Sequence, residues 1–425
     1  MAESAVSGSL RVAVIGAGII GCSAALHLLR SGVGSLTLID ALAPGAATTG
    51  AGAGFVSHWS AGFLPELGEE GLALQQYGLD FYRELHGLNG KIGFQPSGSL
   101  QLSLTEEGFE RFARPVLDSP LAPRETRRLS AAEVGDVMRG LVDPRQVFGG
   151  VLNPHGIQIE TGLATMVLAD QIRQLGGDLK VGTKVIAIDE RTTGVLIATD
   201  HGRFDADVLV IAAGAWNNEL LAMIGWRLPL LRILATRIVT DDRRMPSPLP
   251  TIQCRELRLW LRECFGGVTW GSVQGYAPLY RLESPGEALA PGRPHYPQML
   301  DSLLSHQRNS LETIFPPLRD SSVVSWTQGV PCYTPDHNFI VGALPGHPSI
   351  LVAGGDNESG VTHGPGLGRL LSDLVLERTP FVDPRRWQPA RFGPNRYPTE
   401  ESIELAMSKS FVVSSVHLRE ADSSL

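Results

Sequence analysis

Residues 11–40 constrain the fold more than any other part of this 425-residue chain. An apolar, mostly β-branched run leads into Gly16, Gly18 and Gly21, which have the spacing G-x-G-x-x-G, and apolar residues then recur at helical spacing. A second apolar run ends at Asp40. This pattern predicts a buried strand, a tight glycine turn, a helix and a second parallel strand.

Each of these residue types meets a physical requirement of dinucleotide binding. Gly16 permits the tight turn, Gly18 allows the backbone to approach a pyrophosphate, and Gly21 lets the helix pack closely against the strand. The unpaired N–H groups at the start of the helix attract phosphate. Asp40 is placed to accept hydrogen bonds from an adenosine ribose. A chance glycine-rich turn is the alternative, and it would leave this acid unexplained.

Composition excludes several other classes of protein. The net charge of −8 argues against general nucleic-acid binding. The four cysteines form no C-x-x-C pair, so we expect neither a metal site nor a disulfide framework. No run of 18 apolar residues predicts a membrane span. A polar N-terminus predicts a cytoplasmic location. The final Ser-Ser-Leu leaves a peroxisomal location open, although it lacks the basic middle residue of that signal.

The order of the patterns predicts an α/β chain in which one domain interrupts another. A Rossmann-like domain with a mostly parallel sheet is expected from residues 10–90, 145–225 and 326–380. An α+β domain with an antiparallel sheet is expected from residues 91–144 and 226–325. Residues 393–425 are polar and are expected to form an appendage or tail.

Several individual elements follow from the pattern. Ser130 and Glu133 predict a capping box at a helix start. Strands are expected over residues 180–189 and 255–261, and a helix is expected from Gly364 to residue 376.

In addition, the chain resembles the FAD-dependent D-amino-acid oxidase superfamily, whose branches include glycine oxidase and monomeric sarcosine oxidase. The resemblance covers about residues 10–392. It is carried by the glycine turn with Asp40, the loop 48–54, the segment 206–216, the sequence Thr334-Pro335-Asp336 and the stretch 355–368.

The resemblance implies that both ends of the chain build one FAD-binding domain and that the middle sheet covers the flavin. It also implies that the helix starting near Gly364 points its positive end at the flavin. The cofactor-binding residues that we expect are Gly16, Gly18, Ile19, Ile20, Gly21, Asp40, Ala41, Thr48, Thr49, Ala53, Gly54, Val185, Ala213, Gly214, Trp216, Gly355, Asp356, Gly360, Val361 and Thr362.

The chain departs from this family at three places. Glu358-Ser359 stands where sarcosine-oxidase-like proteins have Gly-His. The segment that carries a carboxylate-binding arginine in glycine oxidases reads Gly-Val-Pro-Cys here, without arginine. Cys332 is a candidate for covalent flavin attachment, but it lies two or three residues too close to the Thr-Pro-Asp sequence; the alternative is a small buried residue. The substrate and the mode of flavin attachment therefore stay open.

Catalytic residues are not identified by the sequence, and three candidates remain. Trp260 and Arg262 alternate with leucines and share one sheet face with Arg258, a face that points either at the flavin or at solvent. His58, followed by Trp59, comes after the predicted flavin loop; packing at a domain seam is the alternative.

Together these observations predict an FAD-dependent oxidoreductase that oxidises a C–N bond of a small amine or amino acid, such as a secondary amine or an amino-acid derivative. Hydride would pass to flavin N5, giving an imine, and oxygen would be reduced to hydrogen peroxide. The alternatives are an FAD-dependent 2-hydroxy-acid dehydrogenase with another electron acceptor and a non-catalytic flavin-binding protein.

Overall fold

The computed structural model describes residues 9–58, 64–282, 294–393 and 396–408. Within these residues a six-stranded sheet has the order Ile340–Leu344, His347–Gly354, Val208–Ile211, Arg11–Ile15, Ser35–Asp40 and Asp178–Val181. Its first strand is antiparallel to the second, and the other neighbours are parallel. This is the mostly parallel sheet that the sequence predicts. It draws strands from both ends of the chain.

The strand Arg11–Ile15 lies in the middle of this sheet and is buried on both faces. Val12 and Val14 belong to one hydrophobic core, whereas Ala13 and Ile15 belong to another. A strand covered on both faces needs apolar residues at every position, which explains the uninterrupted apolar run. The carboxyl ends of the parallel strands meet at one edge of the sheet, where doubly wound folds bind their ligands.

Two helices from opposite ends of the chain pack side by side on one face of this sheet. They are Ile19–Arg30, which follows the first glycine turn, and Gly360–Val375. A Cβ atom on Gly368 would lie 2.5 Å from the Cβ atom of Ser23, so only glycine permits this approach. The contact brings both helix N-termini to the same edge of the sheet.

A ten-stranded sheet covers that edge. Eight strands follow the order Tyr276–Pro278, Leu231–Thr240, Gly267–Ser272, Leu259–Cys264, Thr251–Cys254, Ser99–Ser103, Gly149–Asn153 and Arg127–Ser130. Val323–Gly329 and Cys332–Tyr333 also pair with Leu231–Thr240. Most of the pairs are antiparallel, and the pair formed by Thr251–Cys254 and Ser99–Ser103 is parallel.

Two three-stranded sheets complete the strands of the described residues. They consist of Val185–Arg191, Gly194–Thr199 and Gly202–Ala206, and of Phe55–Val56, Ile157–Gln158 and Gln95–Pro96. The remaining α-helices are Thr48–Ala51, Leu64–Asn89, Glu106–Gly108, Arg114–Leu117, Ala131–Met138, Thr161–Gln174, Asn217–Ala222, Pro297–His306 and Glu400–Ser408.

The capping box predicted at Ser130 and Glu133 is confirmed. The strand expected over residues 180–189 is instead two strands in different sheets, Asp178–Val181 and Val185–Arg191, because the chain turns between them. The strand expected over 255–261 begins only at Leu259, since residues 255–258 form a turn.

The helix expected from Gly364 begins four residues earlier, at Gly360. Two strands also depart from the domain division that the sequence predicts. Gly149–Asn153 and the end of Val323–Gly329 fall in the ranges predicted for the Rossmann-like domain, 145–225 and 326–380, but both strands lie in the ten-stranded sheet. Sheet pairing depends on distant partners, which local periodicity does not reveal.

The predicted appendage, residues 393–425, contains the helix Glu400–Ser408, while residues 394–395 and 409–425 lie outside the described residues. Ile403 and Met407 on this helix pack in a hydrophobic cluster with Tyr276 and Tyr333. None of the helices in the described part of the chain combines the length and the apolar composition that a membrane span needs.

Candidate functional site

A cavity of about 430 Å³ lies where the carboxyl edge of the six-stranded sheet meets the ten-stranded sheet. All but two of the expected cofactor-binding residues line it. The exceptions are Gly21, whose Cβ atom would lie 1.9 Å from the carbonyl oxygen of Gly16, and Gly355, which packs against Thr334. The structure therefore brings together residues that are more than 300 positions apart in sequence.

One part of the cavity, which we call the glycine end, is lined by Gly16, Gly18, Ile19 and Asp40. Gly16 has φ +109°, a backbone conformation that favours glycine. A Cβ atom on Gly16 would also lie 2.4 Å from the carbonyl oxygen of Ala212. The turn therefore depends on glycine, for both its conformation and its space.

The polar groups at the glycine end fit the phosphates and ribose of a dinucleotide. The helix start places N–H groups and the positive end of a helix at the cavity wall. The Ile19 N–H donates to Thr49 Oγ1 at 3.2 Å, and Asp40 accepts from the N–H groups of Ala17 (2.6 Å) and Leu42 (2.7 Å). Each carboxylate oxygen of Asp40 keeps a second lone pair for a ribose hydroxyl.

The electrostatics of Asp40 reflect its partly enclosed position. Burial raises the pKa of its carboxyl, and the two hydrogen bonds from backbone N–H groups oppose that shift. The carboxylate is thus held in place by the chain before any ligand arrives.

The loop 48–54 is hydrogen-bonded to the end of the ten-stranded sheet. Thr48 Oγ1 accepts from the Val330 N–H at 3.0 Å, which ties the loop 48–54 to the end of the ten-stranded sheet. Arg262 Nε donates to the carbonyl oxygen of Ala53 at 2.6 Å. The loop is therefore fixed from both sides.

Arg262, one of the three catalytic candidates, does not line this cavity. Its side chain is 5% exposed, pairs with Glu160 at 2.9 Å and is hydrogen-bonded to the loop at Ala53. Trp260 does line the cavity, although the two side chains are two residues apart on the same strand. Alternation along a strand assigns a sheet face but does not show what covers it.

His58 and Cys332 also lie away from the cavity wall. Burial lowers the pKa of His58 to about 4, so its imidazole is neutral near neutral pH. Cys332 is 1% exposed, packs in a hydrophobic core, and burial raises the pKa of its thiol. Trp59 lies outside the described residues.

The sequence did not identify a polar part of the cavity, which we call the tyrosine end and define by Tyr276, Tyr333 and Glu358. Both phenol hydroxyls donate to Glu358, Tyr276 to Oε1 and Tyr333 to Oε2, the latter at 2.8 Å. The Trp260 indole N–H approaches the Tyr276 hydroxyl at 3.3 Å. All four side chains line the cavity.

The carboxyl of Glu358 has an unusual environment. It faces the open cavity, yet burial by the surrounding protein raises its pKa to about 7, and the bonds from Tyr276 and Tyr333 oppose that shift. Asp356 also raises the pKa of Glu358, while burial raises the pKa of Asp356 itself to about 6. The site therefore holds a carboxyl that titrates near neutral pH.

The backbone is strained where it presents Glu358 to the cavity. Asn357 and Glu358 have φ +45° and +64°, in the left-handed region that costs most residues about 1 kcal/mol or more. Asn357 stabilises the loop by accepting from the Thr334 N–H and donating to the carbonyl oxygen of Gly355. The loop ends at the N-terminus of the helix Gly360–Val375.

A sequence signal existed for Glu358 but not for its partners. A charged residue in the Gly-rich stretch 355–360 departs from the family pattern and marks the position. Tyr276 and Tyr333 carry no local motif, and only the pairing of their strands with Leu231–Thr240 brings them together.

Comparisons with known proteins agree with this geometry. Residues 11–374 match the model of the family described as FAD dependent oxidoreductase (DAO). Among solved structures, glycine oxidase from Geobacillus kaustophilus aligns with a TM-score of 0.77 and 20% identity, covering 91% of this chain and 99% of that chain. This likeness confirms the fold.

Two curated relatives are similar over nearly the whole chain. Human mitochondrial dimethylglycine dehydrogenase is 25% identical over 94% of this chain, and 4-methylaminobutanoate oxidase (formaldehyde-forming) from Paenarthrobacter nicotinovorans is 28% identical over 90%. In each case the match covers 46% of the relative, so the chain spans about half the length of these proteins.

Proposed function

Because the chain belongs to the family of FAD-dependent oxidoreductases, we propose that it oxidises a C–N bond of a small amine or amino-acid derivative. The observation that supports this most directly is the shared cavity, which is lined both by a dinucleotide-type glycine turn and by the polar tyrosine end. When bound there, FAD supplies the acceptor for a hydride from the carbon next to nitrogen.

The residues of the glycine end fit the adenosine half of FAD. The backbone from Gly16 to Ile19 would hold the pyrophosphate, and Asp40 would hold the ribose. The start of the helix Gly360–Val375 lines the same cavity and would stabilise negative charge on a bound ligand. These groups bind and orient, which is the main protein contribution in such chemistry.

The substrate class follows from the relatives and from the cavity. The names of the two curated relatives refer to methylated amino acids, a secondary and a tertiary amine. Arg237, Arg255 and Arg258 line the cavity and make its wall attractive to an anionic group. We therefore favour an N-alkylated amino acid as the substrate, with an imine as the product and oxygen as the acceptor that gives hydrogen peroxide.

The test is to mix the purified FAD-loaded protein with sarcosine, N,N-dimethylglycine or 4-methylaminobutanoate in the absence of oxygen. We expect at least one of these amines to bleach the visible flavin band, and admission of oxygen to restore it with formation of peroxide. Bleaching by 2-hydroxy acids but not by amines would contradict the proposal. So would a flavin that no substrate reduces.

A further inference from the structure

The tyrosine end contains a carboxylate that needs a positively charged partner. Resting on the function proposed above, we propose that Glu358 binds the cationic nitrogen of the substrate and accepts its proton before the C–N bond is oxidised. Tyr276 and Tyr333 hold the carboxylate in position for this role.

Among the described side chains, no Lys, Arg or His nitrogen lies within 4.0 Å of the Glu358 carboxylate, which accepts hydrogen bonds from two neutral phenols. A partly desolvated carboxylate without a cation is costly unless another group supplies the charge. A substrate ammonium group in the cavity would complete the pair.

Glu358 lines the cavity and is more exposed than the two tyrosines that it contacts. Tyr276 and Tyr333 are 9% and 2% exposed, so they form the protein side of the cluster, whereas Glu358 is exposed to the cavity. Each carboxylate oxygen accepts a hydrogen bond from one phenol and keeps a lone pair for a ligand. Glu358 has a strained φ of +64°, and the fold tolerates this strain while it presents the side chain to the cavity.

The surroundings of Glu358 raise the pKa of its carboxyl to about 7. The groups acting on the Glu358 carboxyl are Tyr276 and Tyr333, which lower its pKa, and burial and Asp356, which raise it. The other charged residues lining the cavity are Asp40, Lys184, Glu219, Arg237, Arg255 and Arg258. A carboxylate with a pKa near 7 is a much better base toward an ammonium than one with an ordinary pKa.

The proton-transfer step balances without any further reactant. The N–H bond of the substrate ammonium breaks, its proton forms an O–H bond on Glu358, and the nitrogen regains its electron pair. That electron pair assists the departure of hydride from the adjacent carbon, which a protonated nitrogen cannot do.

Two pairs of non-oxidisable ligands isolate the charge that Glu358 is proposed to recognise. Glycine betaine and 3,3-dimethylbutanoate differ only in a quaternary nitrogen in place of a carbon, as do 4-trimethylammoniobutanoate and 5,5-dimethylhexanoate. Titration calorimetry of the FAD-loaded protein at about pH 8.5, above the pKa of Glu358, gives the preference for the cationic member of each pair. We expect a preference of about tenfold or more in at least one pair.

The variant Glu358→Gln should lose that preference while it keeps the affinity for the neutral ligand. The matched control is Glu401→Gln, which removes one carboxylate from an exposed position and should change nothing. An unchanged preference in Glu358→Gln, or a parent protein that binds neither ligand or shows no preference, would overturn the proposal.

A second variant keeps the test decisive if Glu358→Gln does not fold. In Tyr276→Phe/Tyr333→Phe the carboxylate remains, but it loses two bonds that lower its pKa. The pH at which the cationic preference appears should therefore move upward, and an unmoved midpoint would count against the proposal. These titrations require no turnover, so a protein with the preference but without amine-driven bleaching would contradict the proposed function alone.

Discussion

At the glycine end of the cavity, backbone groups and one carboxylate from a single local stretch supply the polar contacts, whereas at the tyrosine end three separated segments supply side chains. The glycine end is sterically tight, since a Cβ atom on Gly16 would lie 2.4 Å from a backbone oxygen. The tyrosine end instead carries strain and a carboxylate without a cation.

Under the proposed function, the glycine end holds the cofactor and the tyrosine end acts on the substrate. Phosphate binding needs the main chain to approach closely, and glycine alone permits that approach. Recognition of a substrate needs side chains of a particular charge, held in place by others. Changes at the glycine end should therefore affect cofactor retention, and changes at the tyrosine end should affect selectivity and pH dependence.

The largest effect is expected from Gly16→Ala. The new Cβ atom would meet the carbonyl of Ala212, and φ +109° is strained for alanine, so we expect a loss of stability of about 3 kcal/mol or more and little retained FAD. Flavin content and urea unfolding measure both. Gly32→Ala is the control, because Gly32 has φ +81° but no atom within 4 Å of the new Cβ. Full FAD content in Gly16→Ala would show that cofactor retention does not depend on the glycine turn.

A smaller effect is expected from Ile403→Ala on the C-terminal helix. Ile403 is fully buried in the cluster that supports Tyr276 and Tyr333, and its truncation should cost about 2–4 kcal/mol. We expect FAD content to be retained, while the cationic ligand preference weakens. Leu405→Ala on the same helix is the control, because Leu405 is 44% exposed. Loss of FAD with intact ligand preference would reverse the assignment of the two ends.

Glu358→Gln should have a smaller, pH-dependent effect on stability. The folded pKa of about 7 lies above the ordinary value, so the folded state binds more protons than the unfolded chain between these two pKa values. Ionisation of Glu358 therefore costs stability as the pH rises through this window. Relative to the parent, the variant should gain about 1 kcal/mol between about pH 5 and about pH 8.5, a figure reduced because the carboxyl faces the open cavity.

Urea unfolding of the FAD-free proteins at these two pH values measures the gain. Glu401→Gln, at an exposed position, should show no comparable change between them. A variant that loses stability relative to the parent as the pH rises would show that Glu358 is a favourable structural anion.

The smallest effect is expected from Cys332→Ala. The side chain is buried in a core and does not line the cavity, so FAD should be held without a covalent bond in both proteins. Acid precipitation should release all the flavin into the supernatant from the parent and from the variant. Flavin that stays with the precipitated parent but not with the variant would contradict this placement.

The sequence was sufficient for the glycine end because its determinants are local. The turn, the helix and Asp40 occupy one stretch of 30 residues, 11–40, whose pattern reports directly on backbone geometry. The cofactor-binding role expected for the far loop, with Asp356 and Gly360, depends on the family resemblance. The helix that follows this loop begins at Gly360 instead of the predicted Gly364.

The tyrosine end was not predictable in the same way. Tyr276, Tyr333 and Glu358 meet only because separate strands and a loop converge, and no spacing in the sequence records that convergence. For Arg262 the sequence left open whether its sheet face points at the flavin or at solvent, and only the structure shows that its side chain pairs with Glu160 and donates to the carbonyl oxygen of Ala53. Local sequence patterns thus predict backbone geometry, whereas side-chain clusters depend on tertiary packing.

Both ends of the chain should bind one FAD in one cavity, and calorimetric titration of the FAD-free protein with FAD measures this binding. We predict one FAD bound per chain, competition by ADP at the glycine end, and loss of binding in Gly16→Ala. Absence of FAD binding, or FAD binding that neither ADP nor Gly16→Ala affects, would show that the two ends of the chain do not form this site.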